Sequence, residues 1–335
     1  MQRRFLWEHP DWPNLRVETG ALAEALAGAA FDVGEIAGAL RALPANDRDG
    51  ALARRLSGDA MTVDAVRKAD APLTKERLLR WHAGLLANAP LSLTVGEWRR
   101  PSDDWPAAAS APAETRALDF EPPAAPFVND EMRAFLDWFE APSDLPPLVH
   151  AAVAHLRFAT IRPFADGNGR IASAISDLRL ARAVPRSAPY VSLAAQIREE
   201  RAGYDAELAR AQQARADVTP WAAWFIGCYR RAAAESLRSL DDLLRVSRFW
   251  REHRDVEINA RQRKVLDRYL AGEFDGRLNS TKYAATAEAS PDTAQRDLAD
   301  LVAKRLAFPN GGKARSTSYR LGDAFDPLRR HDELG

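Results

Sequence analysis

Between Ile161 and Ser173 the chain reads Ile-Arg-Pro-Phe-Ala-Asp-Gly-Asn-Gly-Arg-Ile-Ala-Ser, and these residue types at this spacing suit a phosphate carrying a divalent metal. Gly167 and Gly169 permit tight or left-handed turns. A turn of that kind, running straight into a helix, leaves unpaired backbone N–H groups at the positive end of the dipole, which is an anion site. Arg170, in the first turn, adds a fork of donors for phosphate. Asp166, one residue before the turn, is a hard oxygen ligand where a phosphate-bound Mg²⁺ would sit. Two helices must present this loop. Upstream, Leu148, Ala152, His155, Phe158 and Ile161 recur at three- and four-residue spacing, and downstream Ile171, Ile175, Leu178 and Ala181 do the same. Pro163 cannot continue the first helix.

The stretch resembles the active-site loop of the Fic (fido) family, His-x-Phe-x-Asp/Glu-Gly-Asn-Gly-Arg-x-x-Arg, with Pro163 to Arg170 matching the common form in order. The resemblance implies that Phe164, Gly167, Asn168, Gly169, Arg170 and Ser173 line a nucleotide site, that Asp166 holds Mg²⁺, and that the nucleotide is ATP. Two positions depart from the pattern: the catalytic histidine is Arg162, and the last arginine is Ser173. In the family the histidine deprotonates a target hydroxyl, which then attacks the α-phosphate of ATP and takes AMP. A guanidinium stays protonated and has no acceptor lone pair, so Arg162 is not expected to act as that base.

Lysines and arginines number 47 and acids 47, so no overall field favours nucleic acid or an anionic membrane. With 46% hydrophobic and 28% charged residues, 335 residues can bury the cores of two or three domains. One cysteine, Cys228, excludes a disulfide framework and reads as a packing residue. No apolar run reaches the ~18 residues of a membrane span. The first residues lack the apolar stretch of a secretory signal, and the expectation is a soluble cytoplasmic protein without membrane contact.

Residues 1–90 are expected to form an N-terminal helical domain, with Leu22, Leu26, Val33, Ile36 and Leu40 on two helices around a break near Phe31 to Gly34. The opening Phe5-Leu6-Trp7-Glu8-His9-Pro10-Asp11-Trp12-Pro13 is similar to the domain preceding the core in one large bacterial Fic subfamily. That subfamily carries an inhibitory glutamate motif before a segment like Ala53-Arg54-Arg55-Leu56. Here Pro44 to Gly50 offers no such motif and reads as a polar loop. The inhibitory glutamate pairs with the second loop arginine in the family, so its absence accords with Ser173.

Residues 91–245 are expected to form the Fic domain. Gly96-Glu97-Trp98-Arg99 resembles the entry to the family's flap, a small β-hairpin that holds the target's backbone. Pro101, Pro106 and Pro112 also suit an irregular loop, and both readings stand. Glu131 to Phe139 reads as a core helix. The run from Tyr190 to Trp224 resembles the helices closing over adenosine, where Tyr204 is either a nucleotide contact or packing; Trp221, Trp224 and Phe225 are core. Among six histidines, His155 lies two helical turns from Arg162, about 10 Å away and out of reach of the same proton. His9, His82, His150, His253 and His331 have no motif context.

Residues 255–325 are expected to form a winged helix. Arg261 to Leu270, Ser280 to Ala287 and Ser290 to Leu306 read as three helices, with Ser280 and Ser290 as N-caps and Pro291 in a first turn. Asn310-Gly311-Gly312 marks a hairpin turn, and Ser316 to Leu321 an extended segment. The third helix carries Arg296 against Asp292, Asp297 and Asp300, a balance that leaves DNA contact and protein docking or homodimerisation both open.

The reading is therefore a mainly α protein: a Fic helical core with a small flap, an N-terminal helical domain and a C-terminal winged helix-turn-helix. It retains an ATP/Mg²⁺ loop and is expected to be impaired in adenylyl transfer. Such a chain suits a regulator or an antitoxin-like partner of an active Fic protein. The alternative is a working AMP transferase acting on protein hydroxyl groups.

Overall fold

The computed structural model describes residues 5–56, 60–90, 93–103, 120–213, 216–274, 276–310, 317–322 and 325–326. They are mainly helical, with one three-stranded sheet. Contacts divide the chain into two compact units, one of residues 1–38 with 49–236 and the other of residues 39–48 with 237–335.

The N-terminal part of the chain forms α1 (Ala23–Ala42), α2 (Ala45–Leu56), α3 (Ala60–Arg67) and α4 (Lys75–Leu85), with residues 39–48 grouped in the second unit. The expected break near Phe31 to Gly34 does not occur, because α1 is continuous. Each interior glycine costs roughly 1 kcal/mol against alanine, but the many alanines around them and the buried Ala29, Ile36 and Leu40 outweigh that cost. One of these glycines serves packing. A Cβ at Gly28 would lie 2.5 Å from Cζ of Arg230, whose Nε donates to Asp32 at 2.8 Å. The loop expected from Pro44 to Gly50 is also corrected, since Ala45 opens α2. Arg48 reaches back to the carbonyls of Leu40 and Leu43, each at 3.2 Å, so the polar residues serve the turn between two helices.

The core follows with α5 (Val128–Glu140), α6 (Pro147–Ile161), α7 (Asn168–Ala183), α8 (Leu193–Glu199), α9 (Arg201–Gln213) and α10 (Thr219–Glu252). Every residue of α6 from Leu148 to Ile161 is buried, as expected for a helix that is apolar all round. It packs along α7, and α3 covers α7. Phe135, Phe139, Phe158, Phe164, Ile171 and Ile175 share one core with Leu78 and Trp81 of α4. Arg157 of α6 is buried among aromatic rings, its guanidinium 4.4 Å from the centroid of Trp138, and none of its side-chain nitrogens has a hydrogen-bond partner. Burial lowers its pKa to about 10, opposed by Glu131. The ring face, and not a carboxylate, is its direct neighbour. Cys228 is buried, as expected, and burial pushes its thiol up to about 12.

Residues 93–103 contain one short turn, Pro101–Asp103, and no strand. The rest of the expected flap, residues 104–119 with Pro106 and Pro112, lies outside the described residues, as does His331.

In the second unit, α11 (Ala260–Leu270), β1 (Leu278–Asn279), α12 (Ser280–Ala287), α13 (Pro291–Ala303), β2 (Phe308–Asn310) and β3 (Ser318–Arg320) follow in order. The sheet runs β1-β3-β2, antiparallel, with Leu278 opposite Tyr319 and Phe308 opposite Arg320. Its three helices fall where the periodicity put them. The cap of α12, however, is Asn279 and not Ser280, with the Asn279 side chain accepting from the Lys282 N–H at 2.9 Å. Ser290 caps α13 as expected. Gly311, Gly312 and Ser316 lie outside the described residues.

Candidate functional site

The loop from Arg162 to Gly167 joins α6 to α7 and is shaped by its own side chains. Arg162 ends α6 in the left-handed region, φ 45 and ψ 61, with its N–H on the Phe158 carbonyl at 3.0 Å. A non-glycine residue there costs on the order of 1 kcal/mol and persists where neighbours over-determine it. Arg99 supplies that constraint: its N–H donates to the Pro163 carbonyl at 2.9 Å and its Nε to the Arg162 carbonyl at 2.8 Å. Arg99 also donates to the Pro123 carbonyl.

Asn168 is buried and brackets Phe164, accepting from its N–H at 3.0 Å and donating to its carbonyl at 2.8 Å. These two bonds close the loop. Phe164 is itself buried, stacked on His82 at 4.0 Å with Trp98 tilted at 4.9 Å. Gly167 has φ +78, and a Cβ there would meet Leu85 Cδ2 at 2.8 Å. Conformation and close approach both demand glycine at this position.

Gly167 is the N-cap of α7, and no side chain caps that end. The first N–H groups of the helix therefore remain for a ligand or water. Gly169 and Arg170 are exposed there, and space is open around Gly169. Asp166 is exposed too, and its Oδ1 accepts from the Gly167 N–H at 2.6 Å. No group of three metal-ligating side chains exists among the described residues. One exposed carboxylate fits a Mg²⁺ whose other ligands are phosphate oxygens and water, and does not fit a metal held by protein alone.

Ser173 is buried with its hydroxyl on the Gly169 carbonyl at 3.1 Å, one helical turn back. Tyr204 is 4% exposed, and its hydroxyl meets His155 Nε2 at 3.0 Å, while His155 Nδ1 meets Ser176 at 3.3 Å. His155 is thus a core histidine with both nitrogens engaged, and burial lowers it to about 3. Arg162 is half-buried; burial lowers its pKa, with Tyr204 and Asp166 opposing.

The structure brings together Arg162, Asp166, Gly167, Gly169 and Arg170 at one loop and helix end. It sets Phe164, Asn168, Ser173 and Tyr204 into the packing behind or beside it. Two residues of the site escape sequence reasoning. Arg99 stands within the quoted Gly96-Glu97-Trp98-Arg99, but nothing in its type predicts a grip on backbone carbonyls. His82 is fully buried against Phe164 and lies fourteen residues before Gly96, a spacing with no rule behind it.

This helix–loop–helix presents an uncapped, glycine-lined helix start on a helical core. Residues 72–180 match the sequence model of the Fic/DOC family, and residues 5–67 match that of a domain of unknown function, DUF4172. The two matches follow one another along the chain. Among curated proteins, the protein adenylyltransferase Fic of Nematostella vectensis is 40% identical over 67 residues, 19% of this chain and 16% of that protein. The protein adenylyltransferase fic-1 of Caenorhabditis elegans is 34% identical over 65 residues, 19% of this chain and 13% of that protein. The chain thus spans less than a fifth of the length of these relatives. Among solved structures, a Fic family protein from Desulfovibrio desulfuricans G20 aligns at a TM-score of 0.48 and 19% identity, covering 89% of this chain and 96% of that one. A Fic-1 fragment from C. elegans aligns at 0.45 and 17% identity, covering 67% and 74%.

Proposed function

We propose that the Fic/DOC domain binds ATP with Mg²⁺ at the loop from Arg162 to Arg170 and is impaired in transferring AMP, acting as a regulatory or antitoxin-like nucleotide-binding protein. The uncapped start of α7, with Asp166 and Arg170 exposed beside it, carries the binding half of this reading. The impairment rests on Arg162, which has no acceptor lone pair. Neither histidine near the loop is placed to replace it: His155 is engaged on both nitrogens, and His82 is buried with Nδ1 occupied by the Gly96 N–H at 2.9 Å. Asp166 would hold Mg²⁺, which when bound would supply charge neutralisation at the phosphates. Arg170 and the α7 N–H groups orient them.

Calorimetric titration with ATP, ADP and AMP, with and without Mg²⁺, tests the binding. Arg170→Ala is expected to weaken it about tenfold, the scale of a lost charge-assisted hydrogen bond. Asp166→Ala is expected to remove the Mg²⁺ dependence. Absence of binding at millimolar ATP refutes the reading.

A working transferase is the second reading, favoured by the relatives being named protein adenylyltransferases. Losing a general base typically costs about 10² to 10⁴ in rate, so transfer of label from α-labelled ATP to protein, at a rate matching an Arg162→His variant, decides for it.

We propose that the second unit is a winged helix that docks on a partner protein or a second copy of this chain, within a cytoplasmic protein, a reading supported by its three helices and three-stranded sheet. One observation favours DNA instead. Two of the three acids on α13 are engaged internally, Asp297 with Arg261, Asn259 and Tyr283, and Asp300 with Gln262 and Lys304. Duplex binding at low salt, lost in Arg296→Ala with Lys282→Ala, is the outcome that establishes DNA contact.

A further inference from the structure

His82 touches both the loop and the segment that grips it. On one side its Nδ1 accepts the Gly96 N–H at 2.9 Å. A ring nitrogen that accepts carries no proton, so the neutral ring has its hydrogen on Nε2. On the other side, the ring lies flat on Phe164, 4.0 Å between centroids and 15° between planes. It also lies under Gly167, where a Cβ would be 3.9 Å from its Cδ2. Nε2 is buried without a hydrogen bond of ordinary geometry, yet the backbone and carboxylate of Asp166 both bear on the ring.

Gly96 opens a run from which two further residues reach the same loop. Trp98 packs on the Phe164 ring, and Arg99 holds the Arg162 and Pro163 carbonyls. His82 therefore sits where the two chains of contact meet, anchoring Gly96 through a nitrogen and the loop through its face.

We infer that His82 is a positioning residue: as the neutral Nε2–H tautomer it ties residues 96–99 to the loop and thereby sets the geometry of Phe164 to Gly167 for phosphate. The inference rests on the nucleotide reading above only for its ligand; the tie itself is independent of it.

Two variants of the full chain separate the contacts. His82→Asn keeps an acceptor near the Nδ1 position and loses the stack; His82→Phe keeps the stack and loses both nitrogens. In ligand-free protein, ring ¹⁵N shifts are expected to report a neutral Nε2–H histidine at pH 7. Exchange of the Gly96 amide is expected to be slow in the wild type, about fivefold to tenfold faster in His82→Phe, and nearer the wild type in His82→Asn. The amide shifts of Gly167 and Gly169 are expected to move in His82→Phe although its melting temperature is retained. Affinity for ATP with Mg²⁺ is expected to fall about tenfold in His82→Phe and to recover in part in His82→Asn. A protonated Nδ1 at pH 7, or unchanged Gly96 exchange and Gly167 and Gly169 shifts in His82→Phe, overturns the inference. A wild type that shows the exchange and shift pattern but binds no ATP overturns the nucleotide reading and leaves the tie standing.

Discussion

At position 162 the backbone is left-handed and its carbonyl is held by Arg99. Histidine is among the residues that enter this region most readily, so Arg162→His is expected to fold normally while adding an imidazole acceptor near physiological pH. Label from α-labelled ATP is expected on the protein in this variant and absent in the wild type; equal labelling of the two refutes an impaired site. Adding Ser173→Arg has a cost that the motif does not reveal. Ser173 is 4% exposed and bonded to its own helix, so a long cation there is expected to lower the melting temperature even where it increases transfer. Gly167→Ala is expected to destabilise by about 2 kcal/mol or more, from the unfavourable φ and the 2.8 Å approach to Leu85 Cδ2. Chemical denaturation measures it, with Gly169→Ala as the control, since open space surrounds that position.

Among the elements, α13 shows how charge on a sequence can mislead. Asp297 stands in a run that reads as an acidic surface, yet it is buried between Arg261, Asn259 and Tyr283. Burial raises its pKa, but the hydrogen bonds from these partners outweigh that and hold the carboxyl below its ordinary range. A depressed carboxylate contributes stability above the unfolded pKa, and that stability is lost as pH falls through the folded value. Asp297→Asn is therefore expected to destabilise the second unit by about 2 kcal/mol near neutrality, a discounted figure because Arg261 is half exposed. The deficit should shrink below pH 4, where the wild type loses the same interaction. Melting followed at pH 7 and pH 3.5 checks it.

The helices of this unit were legible because their apolar periodicity and caps are local, and α6 and α7 were legible for the same reason. Gly34 and the polar run from Pro44 were misread as breaks, since the burial of Ile36 and the reach of Arg48 back to the Leu40 and Leu43 carbonyls cannot be read from residue type alone. Of the site, the loop could be read because turn, dipole and charge act within nine residues. The supports from His82 and Arg99 could not, because each depends on the fold bringing a separate segment against the loop.

Across the whole molecule, the buried histidines set an acid limit. Burial lowers His150 and His155 each to about 3, and lowers His82 as well, all from an ordinary 6.5. Between those values the unfolded chain binds protons that the folded chain does not, so stability is full above pH 6.5 and falls as pH drops toward 3. Denaturation midpoints at pH 7.5, 5.5 and 4.5 are expected to decline in that order, and less steeply in His155→Gln.

The grip of Arg99 on the main chain at Arg162 and Pro163 has a genetic corollary. Those bonds go to carbonyl oxygens, which every residue possesses, so an exchange of arginine for histidine at 162 leaves them in place. An arginine codon of the CGC or CGT type becomes a histidine codon by a single base change. On the proposed reading, the side chain at 162 can therefore change in one mutational step while the backbone bonds that hold the loop stay in place.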